Sequence, residues 1–125
     1  MRDAYCSYRL AGLLQNVGFD FSGSGKLVNS KGEILPSEIL GFAQACDGTE
    51  EATATLQSVR SWLDCDKKIK IILDYSISKD VYTSTIIRRK NNTVIIGDLD
   101  DKEFKDYDEC LENAIIYILE FVIKK

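Results

Sequence analysis

Between Asp106 and Lys125 the chain carries more apolar surface than a helix lying on one side of a sheet can bury, and this excess constrains the fold more than any other stretch. Asp106 followed three residues on by Glu109 has the form of a capping box, with both carboxylates near the positive end of the helix dipole, and predicts a helix start near Tyr107. From there Cys110, Leu111, Ala114, Ile115, Tyr117, Ile118, Leu119, Phe121 and Val122 fall, at about 100° per residue, on an arc of roughly 200°. Packing on one sheet face uses about half of that arc. Ile116 and Ile123 even lie within the otherwise polar arc of Glu112, Asn113, Glu120 and Lys124. The helix therefore calls for cover on more than one side, from the N-terminal part of the chain or from a second copy, and Ile116, Leu119 and Ile123 are the candidate interface residues. Glu112, Asn113 and Glu120 in its body argue against a membrane span.

A chain of 125 residues has the length of one domain with a single core. The expected unit is one α+β domain over 1–125, with a helix and small hairpin in 1–48 and an α-β-β-β-α unit in 49–125. The net charge of −4 argues against a protein devoted to gripping phosphate backbones and favours protein partners. Met1-Arg2-Asp3 is not followed by an apolar run, so the expected setting is cytosolic, without leader or membrane anchor. In that compartment Cys6, Cys46, Cys65 and Cys110 read as reduced, buried core thiols. They form no C-x-x-C pair, and the chain has no histidine to complete a zinc site.

Along the chain, Cys6, Leu10, Leu13, Leu14 and Val17 recur at helical spacing behind Asp3 or Ser7 as cap, and Gly18-Phe19 has the form of a left-handed stop. Phe21 to Lys26 superficially suggests a phosphate loop, but Asp20 and Leu27 stand where a glycine and a hydroxyl are required. Leu27-Val28 and Ile34-Leu35 flank Asn29-Ser30-Lys31-Gly32 as a small hairpin. Pro36 or Ser37 could open a helical turn through Ile39, Leu40 and Phe42. Asp47 with Glu50 predicts a further helix from about Thr49 to Asp64, its stripe being Ala52, Leu56, Val59, Trp62 and Leu63. Ile69, Ile71, Leu73 and Tyr75 alternate as the inner face of a strand. Val81 to Lys90, a turn at Asn91-Asn92, and Thr93 to Ile96 complete a meander. The fold class is α+β: a three-stranded or slightly larger antiparallel sheet packed by the long C-terminal helix, with an N-terminal helix and a small hairpin.

Without histidine, acid-base chemistry would fall to carboxylates, lysine, tyrosine or cysteine, and no constellation of these forms a catalytic signature. Asp98, Asp100, Asp101, Glu103, Asp106, Asp108 and Glu109 crowd one loop, but Lys102 and Glu103 break the calcium-loop pattern, so the stretch reads as solvation and capping. No catalytic residue, metal or cofactor is expected. Lys68 and Lys70 on one strand, with Arg88, Arg89 and Lys90 at the hairpin, are the candidate nucleic-acid-binding residues if their strands are adjacent. Solvated strand edges that discourage aggregation are the other reading of the same charges.

Three segments carry a resemblance: Leu10-Ala11-Gly12-Leu13-Leu14 with Gly18-Phe19, then Gln57 to Leu63 ending in Trp62-Leu63, then Tyr107-Asp108-Glu109-Cys110-Leu111-Glu112-Asn113-Ala114-Ile115. In this order they resemble a loose class of small uncharacterised proteins of phages and integrated elements of gut Bacteroidetes. The resemblance implies a phage or mobile-element protein in the host cytoplasm or the virion, and carries over no catalytic residues. The C-terminal α-β-β-β-α order also resembles double-stranded-RNA-binding domains, and Tyr107 to Ala114 is similar to a helix of HicB-like antitoxins. Those domains place lysines at the start of the last helix, where this chain has Asp106, Asp108 and Glu109. The leading expectation is thus a non-enzymatic accessory or virion-associated protein acting by protein contacts, as a homodimer or with another protein. The alternative is a nucleic-acid-binding or antitoxin-like regulator.

Overall fold

The computed structural model describes residues 4–21, 26–36, 51–91, 93–96 and 102–123. They belong to two compact units, Met1–Thr55 with Leu119–Lys125, and Leu56–Ile118. The expected helical turn through Ile39, Leu40 and Phe42 and the cap at Asp47 lie outside the described residues.

In the first unit, helix α1 (Tyr8–Asn16) is followed by strands β1 (Lys26–Val28), β2 (Ile34–Pro36) and β3 (Glu51–Thr53). Ser7 caps α1 from an extended backbone, its hydroxyl accepting the Leu10 N–H at 3.2 Å. Leu10, Ala11 and Leu14 bury the apolar stripe together with Cys6. The helix ends as its sequence predicts: Gly18 sits at φ +80°, its N–H donates to the Gln15 carbonyl, and the Phe19 N–H donates to the Leu14 carbonyl. This pair of bonds is the Schellman arrangement, which needs a residue free to adopt the left-handed region. The hairpin turn between β1 and β2 is held by the buried Asn29, whose Oδ1 accepts from the N–H groups of Lys31 (3.0 Å) and Glu33 (2.9 Å).

Strand β3 takes residues 51–53 out of the helix expected from about Thr49, and the helix observed begins at Leu56. Residues 51–53 pair antiparallel with the open side of β1, in the order β2-β1-β3, with Leu27 opposite Ala52. The Thr53 hydroxyl donates to the Cys6 carbonyl at 3.0 Å, and the Cys6 N–H donates to the Ala54 carbonyl at 2.9 Å. Ladder and side-chain bonds outweigh a modest helix propensity here, and Thr53, β-branched and fully buried, prefers the pleated conformation.

The second unit runs α2 (Leu56–Asp66), β4 (Ile69–Ser76), β5 (Val81–Arg88), β6 (Thr93–Ile96) and α3 (Tyr107–Tyr117). The sheet is an antiparallel meander in the order β4-β5-β6, with Ile71 opposite Ile86 and a one-residue slip where β6 meets Ile86 and Ile87. Helix α2 packs on β4, and α3 packs on β5 and β4. Their shared core holds Leu56, Val59 and Leu63, then Ile69, Ile71 and Ile86, then Cys110, Leu111, Ala114 and Ile115. The α+β class and the three-stranded sheet packed by the C-terminal helix are as the sequence predicts. The alternation of β4 holds through Ile69 and Ile71 but fades toward the hairpin, where Tyr75 is 48% exposed and stacks on Tyr82 at 5.0 Å between ring centres.

Asp106 caps α3, its carboxylate accepting the Glu109 N–H at 3.0 Å. Beyond Tyr117 the α-helix widens into a turn of π-helix over Ile118–Val122. An inserted residue per turn rotates every later side chain by about 100°, so the wide apolar arc obtained from uniform helical spacing is partly a change of phase. Ile116 and Leu119 are 8% and 5% exposed, Ile123 is half-buried, and Phe121 stands 60% exposed. No described helix is long and apolar enough to cross a membrane.

Candidate anion-binding surface

The C-terminus of α2 and the adjoining ends of β4 and β5 bring the two basic clusters together. Lys68 enters β4 with a left-handed backbone, φ +58°, and its carbonyl accepts the Arg89 N–H at 2.8 Å. Ile69 lies opposite Arg88, and Lys70 opposite Ile87. Lys68, Lys70, Arg88, Arg89 and Lys90 are all exposed, and the strand adjacency on which their candidacy depended is present.

Their roles differ. Arg89 donates through Nη1 to the Asp64 carboxylate at 2.7 Å and to the Asp64 carbonyl at 2.9 Å, so it closes the last turn of α2, where carbonyls lack helical partners. The Lys67 ammonium lies 5.4 Å from the centre of the Trp62 ring. Lys68, Lys70, Arg88 and Lys90 form no ion pair among the described residues.

Beside this basic end a depression of about 230 Å³ runs along β4, lined by Gln57, Arg60, Ser61, Asp64, Lys70 and Ile71. Arg60 dominates it. Its Nη2 donates to the Ile71 carbonyl at 2.8 Å, which covers a backbone acceptor on the edge strand, and its Nη1 donates to the Tyr107 hydroxyl at 3.1 Å. Gln57 donates to the same hydroxyl at 3.3 Å. These bonds hold the guanidinium in one posture, half-buried, with no carboxylate on it among the described residues. Arg60 lies off the Leu56, Val59, Leu63 stripe of its helix and outside both basic clusters, so it was not among the candidates. Gln57, Arg60, Ser61 and Asp64, recurring at helical spacing, were the available signal.

The remaining candidates sit apart. Ile116 and Leu119 lie inside the chain. In the acidic loop, Asp106 is the helix cap and Glu103 pairs with Lys79 at 3.3 Å, while residues 98–101 lie outside the described residues. Among the described residues no three metal-binding side chains come together. Cys6 and Cys110 are buried as expected, but Cys65 is exposed, because it falls off the Leu56, Val59, Leu63 stripe of α2. Burial pushes the Cys110 thiol above its usual range; the Ser84 hydroxyl opposes that shift and Glu109 adds to it.

The fold defines an α+β protein with a basic strand end beside an arginine-lined depression. No family model, curated protein or solved structure matches the chain.

Proposed function

We propose that this is a non-enzymatic binding protein, of the accessory kind that phages and mobile elements encode, and that its basic strand end engages a nucleic-acid strand. The observation that carries this reading is the juxtaposition of Lys68, Arg88 and Lys90, exposed and without ion pairs among the described residues, at one end of the β4–β5 pair. Self-association loses support, since Ile116 and Leu119 are already covered within the chain. With an overall charge of −4, contact is confined to this end and depends on low salt. Either setting, host cytoplasm or virion, is compatible with that role.

Setting aside Arg89, which is held by Asp64, five cations remain, counting Lys67, Lys68, Lys70, Arg88 and Lys90. A single strand contacted by all five gives a slope of log affinity against log salt of about −3.5, or about a hundredfold loss between about 50 and 200 mM salt. Replacing Lys68, Arg88 and Lys90 by glutamine reduces the slope to about −1.4. Fluorescence anisotropy with a labelled oligonucleotide reads both numbers. No binding at low salt, or an unchanged slope in the triple variant, overturns the reading.

A second reading, a protein partner or a homodimer, rests on the exposed apolar side chains Ile77, Val94 and Phe121. Sedimentation at rising concentration tests the dimer, and a monomer throughout counts against it.

A further inference from the structure

We infer that the depression along β4 seats the terminal phosphate of a nucleic-acid strand, with Arg60 as its fork and Lys70 as its second cation; this rests on the nucleic-acid reading above. Among the described residues, two of the five donor hydrogens of the Arg60 guanidinium are occupied, by Ile71 and Tyr107. The bonds that occupy them also fix the plane of the group, so an incoming anion need not order it. Lys70, exposed and without an ion pair among the described residues, lines the same hollow with the hydroxyl-bearing Ser61 and with Gln57. One carboxylate, Asp64, is present, but its Oδ1 is held by Arg89 at 2.7 Å.

Size and charge select the ligand. A volume of about 230 Å³ lies below the range of pockets that enclose drug-sized molecules, about 300–1,000 Å³, and suits a small anion. A phosphate monoester carries between one and two negative charges at neutral pH, matching two cations, whereas an internal phosphodiester carries one. The hollow also adjoins the basic end: Asp64 lines it and receives Arg89, and Lys70 on β4 follows by two residues Lys68, which leads into the strand. A strand running over Lys68, Arg88 and Lys90 thus delivers its end to Arg60.

The test uses the full chain and one oligonucleotide sequence with a 5′-phosphate, a 3′-phosphate or free hydroxyls at both ends. The expected result is about tenfold tighter binding of one phosphorylated form over the hydroxyl form, the scale of one charged hydrogen bond. Inorganic phosphate should erase that preference and leave the hydroxyl form bound. Arg60→Lys should abolish the preference by removing the fork. Because Arg60 also holds Ile71 and Tyr107, Lys70→Gln and Ser61→Ala, both at exposed side chains, provide variants that keep the fold, and each should reduce the preference. Equal binding of all three forms by the unaltered protein overturns this inference alone, as does a preference that survives Lys70→Gln and Arg60→Lys in folded protein. Equal competition by a phosphoserine peptide also overturns the choice of ligand. Failure to bind any of the three at low salt overturns the nucleic-acid reading itself.

Discussion

Ser84 stands at the middle of β5 with no exposed surface, and its hydroxyl makes no hydrogen bond of ordinary geometry among the described residues. The polar group that acts on it is the Cys110 thiol of α3, a weak donor and a weak acceptor. Ser84→Ala should therefore stabilise the protein. A buried hydroxyl without a strong partner costs about 1–3 kcal/mol, and the thiol offsets part of this, leaving about 1 to 1.5 kcal/mol to recover. The missing oxygen leaves a gap on the order of 10–15 Å³, which costs about 0.3 kcal/mol at about 24 cal/mol per Å³. The net gain is about 1 kcal/mol, which raises the melting midpoint by about 3–5 °C for a chain of this length. Thermal melts followed by circular dichroism give the midpoint, and urea titrations with an unchanged m-value show that the gain lies in stability. Because the chain has two units, only the transition that includes the β4-β5-β6 sheet should move if they melt separately. Removing the weak partner by Cys110→Ala should enlarge the benefit of Ser84→Ala. A loss of about 1 kcal/mol or more on Ser84→Ala would refute the reasoning, because it would mean that the hydroxyl is well bonded.

Three further outcomes follow from the same structure. Asp106→Ala removes the cap of α3 and should cost about 1 kcal/mol in urea unfolding, while Asp106→Asn should cost much less, since its side-chain oxygen can still accept the Glu109 N–H. The raised pKa of Cys110 makes stability pH-dependent: the contribution is full below the ordinary thiol value of about 8.5, where neither state ionises, and is lost as pH rises from there through the higher folded value. Urea midpoints should fall less steeply above about pH 8.5 in Cys110→Ala; a Tyr75→Phe background removes the other raised group, whose hydrogen bond to Asp80 shifts it in the same direction. Finally, an alkylating reagent should label Cys65 in the native protein and reach Cys6 and Cys110 only on unfolding, as peptide mass mapping would show.

Local signals proved readable wherever one residue type had to do one job. Ser7, Gly18 and Asp106 mark helix ends through their own backbone and side-chain bonds, so their positions are visible before any tertiary contact is known. The β4-β5-β6 meander was visible for the same reason, each strand having its own period and its own turn. Strand β3 was not, because its identity depends on the open side of β1 and on the Cys6 carbonyl, both distant in sequence. The breadth of the last apolar arc was legible, since Ile116 and Leu119 are both covered within the chain, but the phase of its end was not: angular spacing assumes one helical pitch, and the π-helical turn at Ile118–Val122 breaks that assumption. At the candidate site the exposed cations could be enumerated from the sequence, but Arg60 could not be singled out. Its distinction lies in two fixed bonds, one to a backbone carbonyl and one to the hydroxyl of Tyr107, a tyrosine 47 residues away.

The division of the chain also sets an order of events during synthesis. Leu56–Ile118 is one continuous stretch and can complete its contacts as soon as it has emerged from the ribosome. The unit that begins with Met1 cannot: it incorporates Leu119–Lys125, and the Arg9–Glu120 ion pair joins residues 111 positions apart. The N-terminal segment, although made first and able to pair β1 with β3, must wait for Leu119 and the residues after it before its unit is complete. A nascent chain arrested before Leu119 should thus present a folded centre and an unfinished beginning, which makes the early-synthesised segment the natural client of a chaperone.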